Sequence, residues 1–134
     1  MKNLAVIYNT CGVNARRENV DYYIDSVNNI LNQNFDNFEV FISGCMNTPE
    51  TQNKLINEFK GRVNFNFTQE LHPVNVTFNH TAIKAFEHYG DFDGYLYVDS
   101  GVNFDQDPNI LQKLFKLHKS GPYGITAARP TTDS

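Results

Sequence analysis

The chain has 134 residues, a formal net charge of -4, and 40% hydrophobic and 19% charged residues, the profile of one ordinary globular domain able to bury a core without disulfides. The acidic balance supplies no basic surface for neutralising phosphates, so a nucleic-acid partner is not expected. The longest apolar runs, such as Leu4 to Tyr8 and Val40 to Ile42, fall far short of the roughly 18 residues that span a bilayer, so no transmembrane segment is expected.

The first element expected is a strand, Leu4 to Asn9; its short apolar run does not read as an export leader. Cys11 and Cys45 are the only cysteines, too few for a metal site or disulfide framework, so free thiols and a cytoplasmic location are expected. Asn9-Thr10-Cys11-Gly12-Val13-Asn14-Ala15-Arg16-Arg17 is a polar loop leading into a helix. In a doubly wound sheet such a loop faces the ligand crevice, and Arg16 or Arg17 could meet a diphosphate, or both could be solvated surface. The loop is neither a dinucleotide fingerprint nor a phosphate-cradling Walker sequence. Val20, Tyr23, Ile24, Val27, Ile30 and Leu31 recur at helical spacing, giving a helix over Val20 to Leu31.

A second strand is expected at Phe38 to Ser43. Thr48-Pro49-Glu50 then opens a helix with a capping hydroxyl, a proline at the first position and an acid at the positive end of the dipole; it should run to about Phe59 and close at Gly61. A third strand follows at Val63 to Phe67. A third helix is expected from Thr77 to Tyr89, with Phe78, Ala82, Ala85 and Phe86 on its buried face and Gly90 as its stop. Gly94 to Val98 is the fourth strand. Asp107-Pro108 repeats the cap-plus-proline start, and Ile110, Leu111, Leu114, Phe115 and Leu117 form the stripe of a fourth helix, ended by Gly121-Pro122. Tyr123 to Ala127 is a fifth strand candidate. This alternation of strand and helix predicts a three-layer α/β/α domain around a mainly parallel, Rossmann-like sheet.

The fourth strand ends Val98-Asp99-Ser100-Gly101. Asp-Ser-Gly is good turn chemistry, and an acid at the carboxyl end of a buried parallel strand is also a candidate metal or ribose ligand. His72, His88 and His118 have no partner spacing that suggests zinc, and His80 reads as a polar residue near a helix start that could also reach a phosphate or hydroxyl.

Asn28-Asn29-Ile30-Leu31-Asn32-Gln33-Asn34-Phe35-Asp36-Asn37-Phe38-Glu39-Val40-Phe41-Ile42-Ser43 resembles the helix, "ILxQxxxxFEV" turn and second strand of family 2 glycosyltransferases, an inverting family with the GT-A fold. Asp91-Phe92-Asp93-Gly94-Tyr95-Leu96-Tyr97-Val98-Asp99 resembles the strand that ends in that family's DxD motif. The ordered matches extend from Leu4 to about Ala127. The resemblance implies a nucleotide-sugar-binding domain over residues 1–134, open to being the N-terminal part of a longer protein, that binds a nucleotide-sugar donor for transfer to an unknown acceptor. It places Asn9 and Thr10 against base and ribose, Gly44 in the segment that reads the base, Asn79 at a family Arg-Asn pair, and Asp99 as the first acid of the DxD motif. That acid would hold a divalent cation, Mg or Mn, against the diphosphate.

Gly101 stands where the second motif acid is usual, and Asp105 and Asp107 are the acids that could make up for it. Ser43-Gly44-Cys45 replaces the acidic end of the second strand. No residue reads as the catalytic base, since the family's base lies beyond the DxD motif and Asp91 and Asp93 precede the strand. The alternative is a degenerate, non-catalytic GT-A-like domain acting as a binding or interaction module, with an exposed sheet edge open to self-association. A receiver domain is excluded, because Asn9-Thr10 and Ala127-Ala128 stand where it needs an acidic pair and a lysine.

Overall fold

The computed structural model describes residues 3–11, 19–70, 72–100, 102 and 104–121, with Cys11 and Val74 described by their backbone alone. Strand β1 (Leu4–Cys11), helix α1 (Val20–Leu31), β2 (Phe38–Cys45), α2 (Pro49–Phe59), β3 (Asn64–Thr68), α3 (Val74–Tyr89), β4 (Gly94–Asp99) and α4 (Ile110–Lys119) follow in that order. The strands form one sheet in the order β3-β2-β1-β4, and every pairing is parallel. The chain steps outward from β1 to β2 to β3, then returns past β1 through α3 to place β4 on the other side. That reversal creates a topological switch point between β1 and β4. The expected strand at Tyr123 to Ala127 lies outside the described residues.

Alternation along each strand divides the core into two halves. Leu4, Val6 and Tyr8 of β1, Val40 and Ile42 of β2 and Val98 of β4 point to one face, where Tyr23, Val27 and Ile30 of α1, Leu55 and Phe59 of α2 and Leu111 of α4 cover them. Ala5, Ile7 and Phe41 point to the other, under Phe78 and Ala85 of α3 and beside Phe92. The architecture is therefore the three-layer α/β/α expected. No helix among the described residues is long and apolar enough to cross a membrane.

The caps explain where the helices begin. Thr48 accepts from the Thr51 amide at 3.2 Å with Pro49 at the first position, and Asn19 accepts from the Tyr22 amide at 3.2 Å. Helix α3 begins earlier than its periodicity predicts, at Val74. Pro73 presets the entry and its carbonyl accepts from the Val76 and Thr77 amides at 3.0 and 3.2 Å; the β-branched Val74 and Val76 hide this turn from a propensity reading. On its expected buried face, Phe86 is instead exposed while Phe78 and Ala85 are buried.

Helix α4 begins later than expected, at Ile110, because Asp107-Pro108 forms a turn ahead of it and Asp107 accepts from the Asn109 amide at 2.9 Å. Its first turn is served by Gln33, just past α1. The Gln33 amide donates to the Phe104 and Asp107 carbonyls at 3.2 and 2.8 Å, and its oxygen accepts from the Leu111 amide at 3.2 Å.

Candidate functional site

The carboxyl ends of the strands meet at one edge of the sheet. Parallel pairing sets Asn9 opposite both Ser43 and Asp99, and Thr10 opposite Gly44. Asn9 and Asp99, expected to flank one switch point, are thus adjacent across the β1–β4 pair.

Asn9 and Thr10 are 4% and 1% exposed, and their side chains turn to the protein's own groups. The Ser43 hydroxyl donates to Asn9 Oδ1 at 3.3 Å. Thr10 Oγ1 donates to the Ser43 carbonyl and accepts from Asn47 Nδ2, each at 3.0 Å, and the Gln52 amide donates to the Asn47 carbonyl at 3.2 Å. These bonds tie β1, β2 and α2 into a polar floor and give partners to the buried Thr10 and Ser43 hydroxyls, Asn9 Oδ1 and Asn47 Nδ2, groups that would otherwise be costly to bury.

Gly44 belongs to the same floor. A Cβ there would overlap Thr10 Oγ1 and Asn47 Oδ1 and lie 2.9 Å from the Thr10 carbonyl oxygen. Asn47 reaches this place because Met46 turns the chain at a φ of 61°, in the left-handed region that costs a non-glycine residue about 1–2 kcal/mol. Asn47 and Gln52 carry no motif, and only the Met46 turn brings them to the strand ends.

Asp99 is exposed at the rim. Its carbonyl accepts from the Val102 amide at 3.0 Å and its Oδ1 from the Ser100 amide at 3.2 Å. The turn is also held from beneath, where the buried Tyr8 hydroxyl donates to the Ser100 carbonyl at 3.4 Å. Burial pushes the Tyr8 hydroxyl well above the ordinary phenol range, so it stays a neutral donor at every physiological pH.

Asn79 lies in the first half of α3, exposed, and Tyr97 joins it to β4: the Tyr97 hydroxyl donates to Asn79 Oδ1 at 3.3 Å. Asp99 and Tyr97, two residues apart on one strand, share the α3 side of the sheet. Arg16 and Gly101 lie outside the described residues.

The acids that could replace the missing motif carboxylate are elsewhere. Asp107 and the Phe104 carbonyl, next to Asp105, are held by Gln33 beyond the C-terminal end of α1. The Asn37 carbonyl, between Gln33 and β2, accepts from the Asn3 and Leu4 amides at the start of β1. That is the opposite end of the sheet from Asp99. Lys113, 2.8 Å away, and then the Asn109 amide hold the Asp107 carboxyl below its usual range. Asp93 also sits at the starting end of β4, 3.8 Å from Lys119. Among the described residues, no three histidine, cysteine, aspartate or glutamate side chains converge to hold a metal ion.

A cleft of about 230 Å³ opens between β3 and α3, lined by Asn66, Thr68, Glu70, His72, His80 and Lys84 among others. The His72 and His80 rings meet edge to face at 5.4 Å, His72 Nε2 lies 3.3 Å from Glu70, and Lys84 donates to Asn66 at 2.9 Å. Cys45 is a free, buried thiol whose Sγ donates to the His72 carbonyl at 3.7 Å.

No family model matches the chain, and no curated protein matches it. Solved structures do. Staphylococcus aureus TarS 1–349 in complex with UDP superposes with a TM-score of 0.54 at 20% identity, over 89% of this chain and 32% of that one. A second structure of TarS 1–349 gives 0.52 at 19%, over 88% and 33%. TarS is a glycosyltransferase, so this chain has a GT-A-like α/β fold, and it spans about a third of the length of the TarS chains it resembles.

Proposed function

We propose that this chain binds a nucleoside-diphosphate sugar across the carboxyl edge of its sheet, as a family 2-like glycosyltransferase domain whose Asp99 stands for the first acid of a DxD motif. The observation that carries the reading is the register that sets Asp99 beside Asn9 at the switch point of a parallel sheet, where open α/β folds bind ligands. The UDP held by the TarS structure makes a uridine diphosphate the first donor to test. The cleft at β3 and the Asp99 rim at β4 are separated by three strand spacings, roughly 14 Å, an interval a nucleotide sugar can bridge.

The metal fits only with help. Asp99 is a single exposed carboxylate, and Mg or Mn accepts one carboxylate when substrate phosphates and water complete its oxygen shell. Bound there, the cation would neutralise diphosphate charge and stabilise the departing nucleotide. Metal and nucleotide should therefore bind together, with neither Mn nor Mg alone held tightly.

A second reading, a non-catalytic binding module, is favoured by the same solitary carboxylate. As a nucleotide-binding module it parts from the first reading only at sugar transfer; as an interaction module it need bind no nucleotide. The test is thermal unfolding with UDP, with Mn, and with both. At one hundred times its dissociation constant a ligand stabilises by about 2.7 kcal/mol, a shift of several degrees for a domain of this size. That shift should require both components and vanish in Asp99→Asn. A UDP shift indifferent to Mn and to Asp99→Asn removes the metal role, and no shift with UDP and Mn together removes a uridine donor.

A further inference from the structure

Tyr97 is 46% exposed, yet its ring is not loose. It lies flat against Phe78, with centroids 4.7 Å apart and planes 2° from parallel, and Phe78 is itself buried beside Ala5, Ile7 and Phe41. The hydroxyl is tied to Asn79 Oδ1 at 3.3 Å. One face and the polar tip are thus fixed by the protein, leaving the other face to account for the exposure. A ring already immobilised loses little freedom when a ligand covers it.

We infer that Tyr97 is the stacking platform for the hexose ring of the donor. The inference rests on the reading of Asp99 as the diphosphate end of the site. Tyr97 and Asp99 are two residues apart on one face of β4, so their backbone positions lie roughly 6.5 Å apart along the strand, an interval that suits a group attached to a diphosphate held at Asp99. A hexose presents a face of C–H bonds whose slightly positive hydrogens suit the negative face of an aromatic ring. The nucleotide base belongs to the other side. The sheet order puts β2, β3 and the His72–His80 cleft beyond β1 from Asp99, so a donor laid along the edge brings its sugar, and not its base, to β4.

The test compares UDP with a panel of UDP-hexoses, each titrated in the presence of Mn into the wild-type chain, Tyr97→Leu and Tyr97→Phe. At least one UDP-hexose should bind wild type more tightly than UDP does. Tyr97→Leu should erase that advantage, roughly a threefold to tenfold loss, with UDP affinity unchanged, while Tyr97→Phe retains it. Proton cross-relaxation between hexose and Tyr97 ring hydrogens in the wild type checks the contact without any variant. Equal loss of UDP and UDP-hexose in Tyr97→Leu, no loss of either, no hexose advantage in wild type, or no cross-relaxation overturns the platform. Failure of wild type to bind UDP with Mn removes the uridine donor together with the platform for its hexose, and is seen before any variant is made.

Discussion

At Gly44 a single hydrogen atom decides whether two strands can share their polar floor. The overlap that a Cβ would make with Thr10 and Asn47 predicts that Gly44→Ala destabilises by about 1–3 kcal/mol through overpacking, read as a lower urea midpoint. Asn47→Ala removes one of the clashing groups, so the double variant should cost less than the sum of the two singles; strictly additive costs would show that the two residues do not meet. This role was not legible in the sequence, where Gly44 read as a base-contacting position; the floor exists only after Met46 turns Asn47 back. The adjacency of Asn9 and Asp99 was legible, because a strand end is a local pattern and its neighbour follows from strand order. Tyr97 was not, since its fixed pose depends on Phe78 and Asn79, placed on another element by tertiary contact.

Among the elements, α4 depends on a residue of the preceding layer. Gln33 satisfies the Leu111 amide and binds the Phe104 and Asp107 carbonyls, so the glutamine of the QxxxxFEV segment couples α1 to the segment that follows Asp99. Gln33→Ala leaves a buried amide without its partner and should cost roughly 1–3 kcal/mol. Hydrogen exchange should show the loss concentrated at residues 104–112, with β1 and β2 keeping their protection relative to global stability; uniform loss, or none, would show that Gln33 does not support α4. The start of α2 was legible from Thr48-Pro49-Glu50 because a cap acts within one turn. The starts of α3 and α4 were misjudged by a few residues, since Pro73 and Gln33 act through a backbone carbonyl and a distant amide that no local periodicity records.

For the whole molecule, the alternating pattern specified the layers, and the return through α3 made the crevice. Among the described residues no strand pairs with the outer edge of β4, which exposes backbone donors and acceptors. Self-association through that edge is expected to grow with concentration in sedimentation, and a chain that stays monomeric throughout would rule it out. The donor reading itself is tested most directly by the position of the metal. With UDP at saturation, Mn titrated into isotope-labelled chain should broaden the amide signals of Thr10, Asp99 and Ser100 first, leave those of Asp93 and Asp107 sharp, and lose this pattern in Asp99→Asn. Broadening centred on Asp93 or Asp107, or broadening that does not need UDP, contradicts a donor site at the β1–β4 switch point.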